Sequence, residues 1–300
     1  MDGLQRLLVK QHVTPKELSR AIGVSESSLK RWSDDGVLVA SRTAGGHRRF
    51  TMDEAIRFIR QTGMKLIEPA AMGLPPLVEA KAEDDASALP HAALSQAMSV
   101  GDGAAVRGLI LGAYMAGQTV AAIFDHLVTP ALHDIGELWR HDAKGIYIEH
   151  RATTLCIESI NQLRSLFSET AAPAPAAVGG ALSGDVYSIP SLMAATVLAS
   201  GGWREMNLGP QTPVASLLLA AEEAAASLVW VSVSINLPAQ QMERQLTELA
   251  EELRKREARL VLGGRAVPST MAVKWSHVHV ARSMGELAAY AAGLRAVAGF

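Results

Sequence analysis

The sequence holds one cysteine, Cys156, in 300 residues, so a disulfide within the chain is excluded. No apolar run reaches the about 18 residues that a membrane-spanning helix requires, and no charged-then-apolar leader opens the chain. A cytoplasmic location is therefore expected. There is no internal repeat and no low-complexity tract outside two linker-like stretches. The nine histidines are scattered, and neither a nucleophile–base pair nor a cluster with metal-ligand spacing is present, which argues against an enzyme. What is present is an ordinary globular composition, 49% hydrophobic and 19% charged, enough for one large core or two to three modest ones.

The formal charge of −2 conceals an asymmetry. Residues 1–66 carry 12 Lys+Arg against 7 Asp+Glu, or +5, and the remainder carries 16 against 23, or −7. A basic head on an acidic body suits an anionic partner for the head alone. Residues 67–90, with four prolines and an acidic cluster, read as a linker. Residues 91–170 show helical periodicity almost throughout, in segments joined by Gly-containing turns, which makes a four-helix bundle. From 176 to 300 the rhythm changes: β-rich runs "AVGGALS", "WREMNLG", "LVWVSVS", "RLVLGG" and "HVHVA" alternate with helical stretches. That alternation implies a doubly wound α/β domain with a five-stranded parallel sheet, Rossmann- or flavodoxin-like. The fold class expected is multidomain: winged head, all-α bundle, α/β sheet.

Within the head, Thr14 with Glu17 three residues on is a capping box, Gly23 ends that helix, and Ser25 caps a second. The second helix divides its faces: Leu29 and Trp32 are spaced to pack inward, while Ser27, Ser28, Lys30 and Arg31 offer hydrogen bonds and charge. This is helix-turn-helix spacing. Next comes "SRTAGGHRRF", in which two glycines precede His47, Arg48 and Arg49, with Arg42 before them; a hairpin tip of this kind brings cations close to phosphates. Residues 12–62 resemble the MerR family of winged helix-turn-helix regulators. The resemblance implies that the partner is double-stranded operator DNA, that Arg48 and Arg49 meet the backbone or minor-groove edge, and that Lys30, Arg31 and the two serines lie nearest the major groove. Two half-sites read by two-fold symmetry require self-association, as a dimer or tetramer.

Further along, Trp139 is separated by nine residues from Glu149 and His150. This spacing, with the domain order, is similar to that of the light-responsive cobalamin-dependent repressors of CarH type. That resemblance implies a bundle over the upper face of adenosylcobalamin, with Trp139, Glu149 and His150 lining it, and an α/β domain holding the lower face at the carboxyl ends of its strands. In related domains an Asp/Glu-x-His-x-x-Gly loop after the first strand supplies the cobalt ligand, the acid that orients it, and a glycine past which the nucleotide tail runs. The matching positions here are Asp185, Tyr187 and Pro190. The acid is kept. A phenol, with an ordinary pKa near 10, is a far weaker donor to cobalt than imidazole, and proline adds bulk. Ser232 in "SVSIN" and Gly263–Gly264 in "LGGRAVP" follow the family pattern, as does "NLGPQTP" at 207–213.

Three readings of the crevice stay open: cobalamin held without a protein ligand, a different flat or nucleotide-like ligand, or a domain that only mediates oligomer contacts. The whole reads as a transcriptional repressor. The alternatives are a cofactor-independent MerR-type regulator and, since related domains also serve in enzymes, a cobalamin-dependent methyl-transfer protein.

Overall fold

The computed structural model describes residues 10–78, 91–138, 143–167, 174–268 and 274–298. They fall into two compact units, one of residues up to Thr119 with His126–Ser168, the other of Val120–Asp125 with Glu169 onward.

The first unit begins with β1 (His12–Val13), followed by α1 (Pro15–Ile22) and α2 (Glu26–Asp34). The capping box forms: Thr14 Oγ1 accepts from the Glu17 amide at 3.2 Å and Glu17 Oε2 accepts from the Thr14 amide at 2.8 Å. Leu18 and Leu29 are fully buried, and Trp32 packs on Phe58 of α3 (Met52–Thr62) with ring centroids 5.3 Å apart. Between α2 and α3 lies the hairpin β2 (Ser41–Arg42) and β3 (Arg48–Thr51), antiparallel with Ser41 opposite Arg49 and Arg42 opposite Arg48. Its tip closes through Gly46 N to Thr43 O at 2.8 Å and Thr43 N to His47 O at 2.9 Å. The other edge of β3 takes β1, with Val13 opposite the fully buried Phe50.

Lys10 pairs with Glu17 at 2.7 Å. Its ammonium, helped by the Thr14 amide, holds the Glu17 carboxyl at about 2, against an ordinary 4.5. A depressed carboxylate stabilises the fold above its unfolded pKa and loses that contribution as pH falls toward the folded value. Protection of the α1 amides from hydrogen exchange is therefore expected to drop, relative to Glu17→Gln at each pH, as pH falls from 4.5 to about 2. Parallel pH profiles for the two proteins would remove Glu17 from this account.

The stretch expected to be a linker from 67 to 90 is packed over residues 67–78; residues 79–90 lie outside those described. Ile67 and Glu68 donate their amides to Ala21 O, at 2.7 and 3.1 Å. A 3-10 turn at Pro69–Met72 follows, with Met72 and Leu74 buried. Prolines that bar an extended helix here still permit this tight turn, and the apolar residues between them have a surface to cover. The segment then crosses α5 (Gly103–Met115) at two glycines one turn apart. Val78 N donates to Gly108 O at 3.2 Å, and a Cβ on Gly108 or Gly112 would come within 2.8 Å of Pro76 O or 2.5 Å of Val78 O. At the other end of α5, Arg60 of α3 donates to Gly117 O (3.2 Å) and Gln118 O (3.0 Å) and stands 3.7 Å over the Tyr114 ring.

The bundle consists of α4 (His91–Val100), α5, α7 (Thr129–Leu138) and α8 (Ala143–Arg164). Leu94, Met98, Val106, Ile110, Ile135 and Ile160 fill its core. Cys156 is fully buried there, and burial pushes its thiol up to about 12, which makes it a small apolar filler rather than a nucleophile.

The second unit is a parallel sheet of β4 (Ala176–Ala181), β5 (Arg204–Asn207), β6 (Leu228–Ser232), β7 (Arg259–Gly263) and β8 (Val278–Val280), in the order β5-β4-β6-β7-β8. The order reverses between β4 and β6, and such a switch point opens a crevice at the carboxyl ends of those strands. Helices α9 (Ile189–Ser200) and α12 (Met284–Ala298) pack against each other; α10 (Val214–Glu223) and α11 (Ala239–Lys255) form the second pair. Val229, Val231 and Val233 join Leu217, Leu246, Leu249 and Leu253 in a core on the α10–α11 face. With a period of two, Trp230 and Ser232 point to the α9 face. A short helix α6 (Val120–Ile123), expected from sequence as part of the bundle, belongs to this unit and packs on α9 and α12. Directly after it, Asp125 caps α12 by accepting from the Met284 and Gly285 amides, both at 2.8 Å.

Candidate functional site

On the head, Ser27, Lys30, Arg31, Arg42, His47 and Arg49 are exposed, and Ser28 and Arg48 are half-buried. Ser25 caps α2 by accepting from the Ser28 amide at 3.1 Å, and its hydroxyl is 2.7 Å from that of Ser27 and 3.0 Å from that of Ser28. The three hydroxyls thus cluster at the positive end of the helix dipole, where an anion is favoured. Arg48 and Arg49, read alike from sequence, differ in their surroundings. The Arg48 guanidinium is ion-paired with Asp34 at the end of α2, its side chain 18% exposed. Arg48 thereby ties the wing to the helix beside it, and Arg49, on the other side of the strand, has its charge in solvent. Asp34 was not singled out in the sequence, because only the fold carries the wing back to the end of α2.

In the bundle, Glu149 and His150 lie on α8 with His150 Nε2 3.5 Å from Glu149 Oε2. The His150 side chain is 76% exposed, while Glu149 is half-buried and accepts from Thr153 Oγ1 at 3.4 Å. Trp139 lies outside the described residues.

At the carboxyl edge of the sheet, Ala181 sits opposite Ser232 and Ser232 opposite Gly263, which places three candidate strand ends side by side at the switch point. Asp185, in the loop after β4, is fully buried. One carboxylate oxygen accepts from the Tyr187 amide at 3.0 Å and the other from the Ser234 amide in the loop after β6. Its own carbonyl accepts from Gln211 N at 2.9 Å, so three loops of the edge are stapled through one residue. Tyr187 stands 41% exposed at the tip of its loop, with the Arg265 guanidinium 6.0 Å from its ring. Arg265, after Gly263 and Gly264, donates through Nε to Ser234 O at 2.6 Å. Pro190 is in the first turn of α9, where no backbone N–H is needed. Ser232 is buried and its hydroxyl has no hydrogen-bond partner among the described residues. Such an orphan costs about 1–3 kcal/mol unless a ligand or water satisfies it.

Beneath this edge a second polar line was not read from sequence. Trp230, 2% exposed, donates its indole N–H to Ser191 Oγ at 3.4 Å, and Ser191 donates to Asn207 Oδ1 at 2.6 Å. Trp230 lies opposite Gly179 in β4, and a Cβ there would overlap the indole. Among the described residues no group of three or more His, Cys, Asp or Glu could hold a metal ion, and no helix is long and apolar enough to cross a membrane.

Residues 13–62 match the MerR HTH family of regulatory proteins. No curated protein matches the chain. Among solved structures, the monomethylamine corrinoid protein of Methanosarcina barkeri is similar with a TM-score of 0.52 and 17% identity, over 67% of this chain and 96% of that one. A cobalamin-binding protein of Desulfitobacterium hafniense DCB-2 gives 0.35 and 17%, over 70% and 97%. The methanol:cobalamin methyltransferase complex MtaBC of M. barkeri gives 0.37 and 15%, over 91% and 93%. The first of these shows the fold shared beyond the head: a helical region and a five-stranded parallel sheet like those of a corrinoid protein.

Proposed function

We propose that the chain is a transcriptional repressor that holds operator DNA between α2, laid in the major groove, and the β2–β3 wing on the flanking backbone. The observation that carries this reading is the division of labour in the wing: Arg48 is spent on Asp34, which fixes the hairpin against α2, and Arg42, His47 and Arg49 are left facing solvent beside Lys30 and Arg31. A wing fixed in this way presents its cations at a set distance from the helix, as a groove-and-backbone reader requires. The operator is read by two heads, so the chain acts as a homo-oligomer.

Fluorescence anisotropy with DNA from the chain's own promoter region tests this. Lys30→Ala and Arg49→Ala are each expected to weaken binding and to lower the slope of log K against log salt by about one. Arg48→Ala is expected to weaken binding while leaving the slope nearer that of the wild type, because its charge is already neutralised by Asp34. An operator affinity and salt slope unchanged in the Lys30→Ala/Arg49→Ala double variant would reject the interface.

A sensory role for the α/β unit is favoured by the likeness to a corrinoid protein and by the orphan Ser232 hydroxyl at the switch point. The fit to cobalamin is partial. Ser232 and Gly263, in register at the carboxyl edge, suit a ligand lying there. The loop after β4 does not suit a protein-ligated cobalt: an exposed phenol stands where an imidazole would be. The ligand, whatever its identity, is held without an axial histidine from this loop.

A further inference from the structure

Next to Pro190 in the first turn of α9, Ser191 meets Trp230 in the layer between α9 and the sheet. That layer is full. The indole is 2% exposed, occupies the space a Cβ on Gly179 of β4 would need, and is anchored by its N–H to Ser191, itself fully buried and bonded to Asn207. Two residues on, at the strand end, the Ser232 hydroxyl has no hydrogen-bond partner among the described residues. A bicyclic side chain thus fills the layer under the carboxyl edge, and an unsatisfied polar atom is buried at that edge.

We propose that Trp230 decides the class of ligand this edge accepts: it admits a ligand that stays at the carboxyl edge over Ser232 and Gly263, and excludes one that sends a bicyclic base into the sheet–α9 layer, as cobalamin would with its nucleotide tail. The proposal rests on the reading of this edge as a ligand crevice and is independent of DNA binding by the head. It makes Trp230 a barrier separate from Tyr187 and Pro190. Restoring the histidine and glycine of the loop alone leaves the tail without a place, because an indole packed this closely has no room to yield.

The test uses the full-length chain and two probes, cobalamin and cobinamide, the corrinoid that lacks the nucleotide tail, titrated by visible absorption and calorimetry. Wild type and Tyr187→His/Pro190→Gly are expected to bind cobinamide more tightly than cobalamin, by about tenfold or more. Adding Trp230→Ala to the double variant is expected to tighten cobalamin binding by about tenfold or more and leave cobinamide unchanged. Trp230→Val in the same background, a smaller excavation, is expected to shift the preference in the same direction and stands in should the alanine variant fail to fold by circular dichroism. A wild-type or double-variant protein that binds cobalamin as tightly as cobinamide, or more tightly, overturns the proposal, as does a folded Trp230 variant that keeps the double variant's preference. Operator titrations run in parallel keep the two readings apart, since loss of DNA binding bears on the regulator alone.

Discussion

Asp185→Ala is expected to destabilise the α/β unit by about 2–4 kcal/mol, because it strips the acceptor from two backbone amides at once, one of them, Ser234, buried. One carboxylate oxygen holds the Tyr187 amide of its own loop and the other joins that loop to the loop after β6 through the Ser234 amide, and a methyl left in its place accepts from neither. Asp185→Asn should fall between alanine and wild type: its carbonyl oxygen still accepts from one amide, but its NH2 faces the other, donor against donor. Urea unfolding followed by far-UV circular dichroism measures the difference, and operator affinity of the head is expected to stay within error. A loss below about 0.5 kcal/mol for alanine would show that the two amides find water or each other's loops instead, and would end the staple argument.

Gly264→Ala is expected to cost about 3 kcal/mol or more, and Gly263→Ala much less. The two glycines are adjacent and look interchangeable in the sequence, but their surroundings are unequal. Gly264 has φ +102°, outside the range of an L side chain, and its Cβ would overlap the Val233 carbonyl oxygen. Gly263 is in the strand proper, and its Cβ would meet nothing nearer than Ala281 O at 3.7 Å. Thermal unfolding of the two single variants compares them directly. Equal losses would mean that the turn after β7 is not built as described, and Gly263 would then join Gly264 as a structural rather than a ligand-facing position.

Much of this molecule was legible in one dimension because its signals are local. Thr14 and Glu17 cap each other across three residues, Leu29 and Trp32 share a helix face, and the hydrophobic runs separated by helix-length stretches could form only a parallel sheet with crossovers. The parts that escaped are pairings between distant residues. Nothing near Arg48 announces Asp34, and nothing near Gly179 announces that Trp230 will lie across it. Asp185 was visible as an acid at the right place in a loop, but not as the acceptor of two backbone amides, one of them from the distant loop after β6. Residues 67–78 were misleading in composition, since prolines and small residues mark a tether only where no surface lies close enough to receive them.

That packed segment, with Arg60 gripping the far end of α5, changes what DNA binding costs the head. A domain on a free tether surrenders its tumbling when it docks, and part of the contact energy is consumed in stopping it. Here α3 is clamped by its own arginine to the carbonyls of Gly117 and Gln118, and the chain leaving the head is laced over Gly108 and Gly112, so that motion is already arrested when the protein folds. On the proposed docking the head reaches DNA already aimed, and the angle of α2 is an inherited property of helix α5.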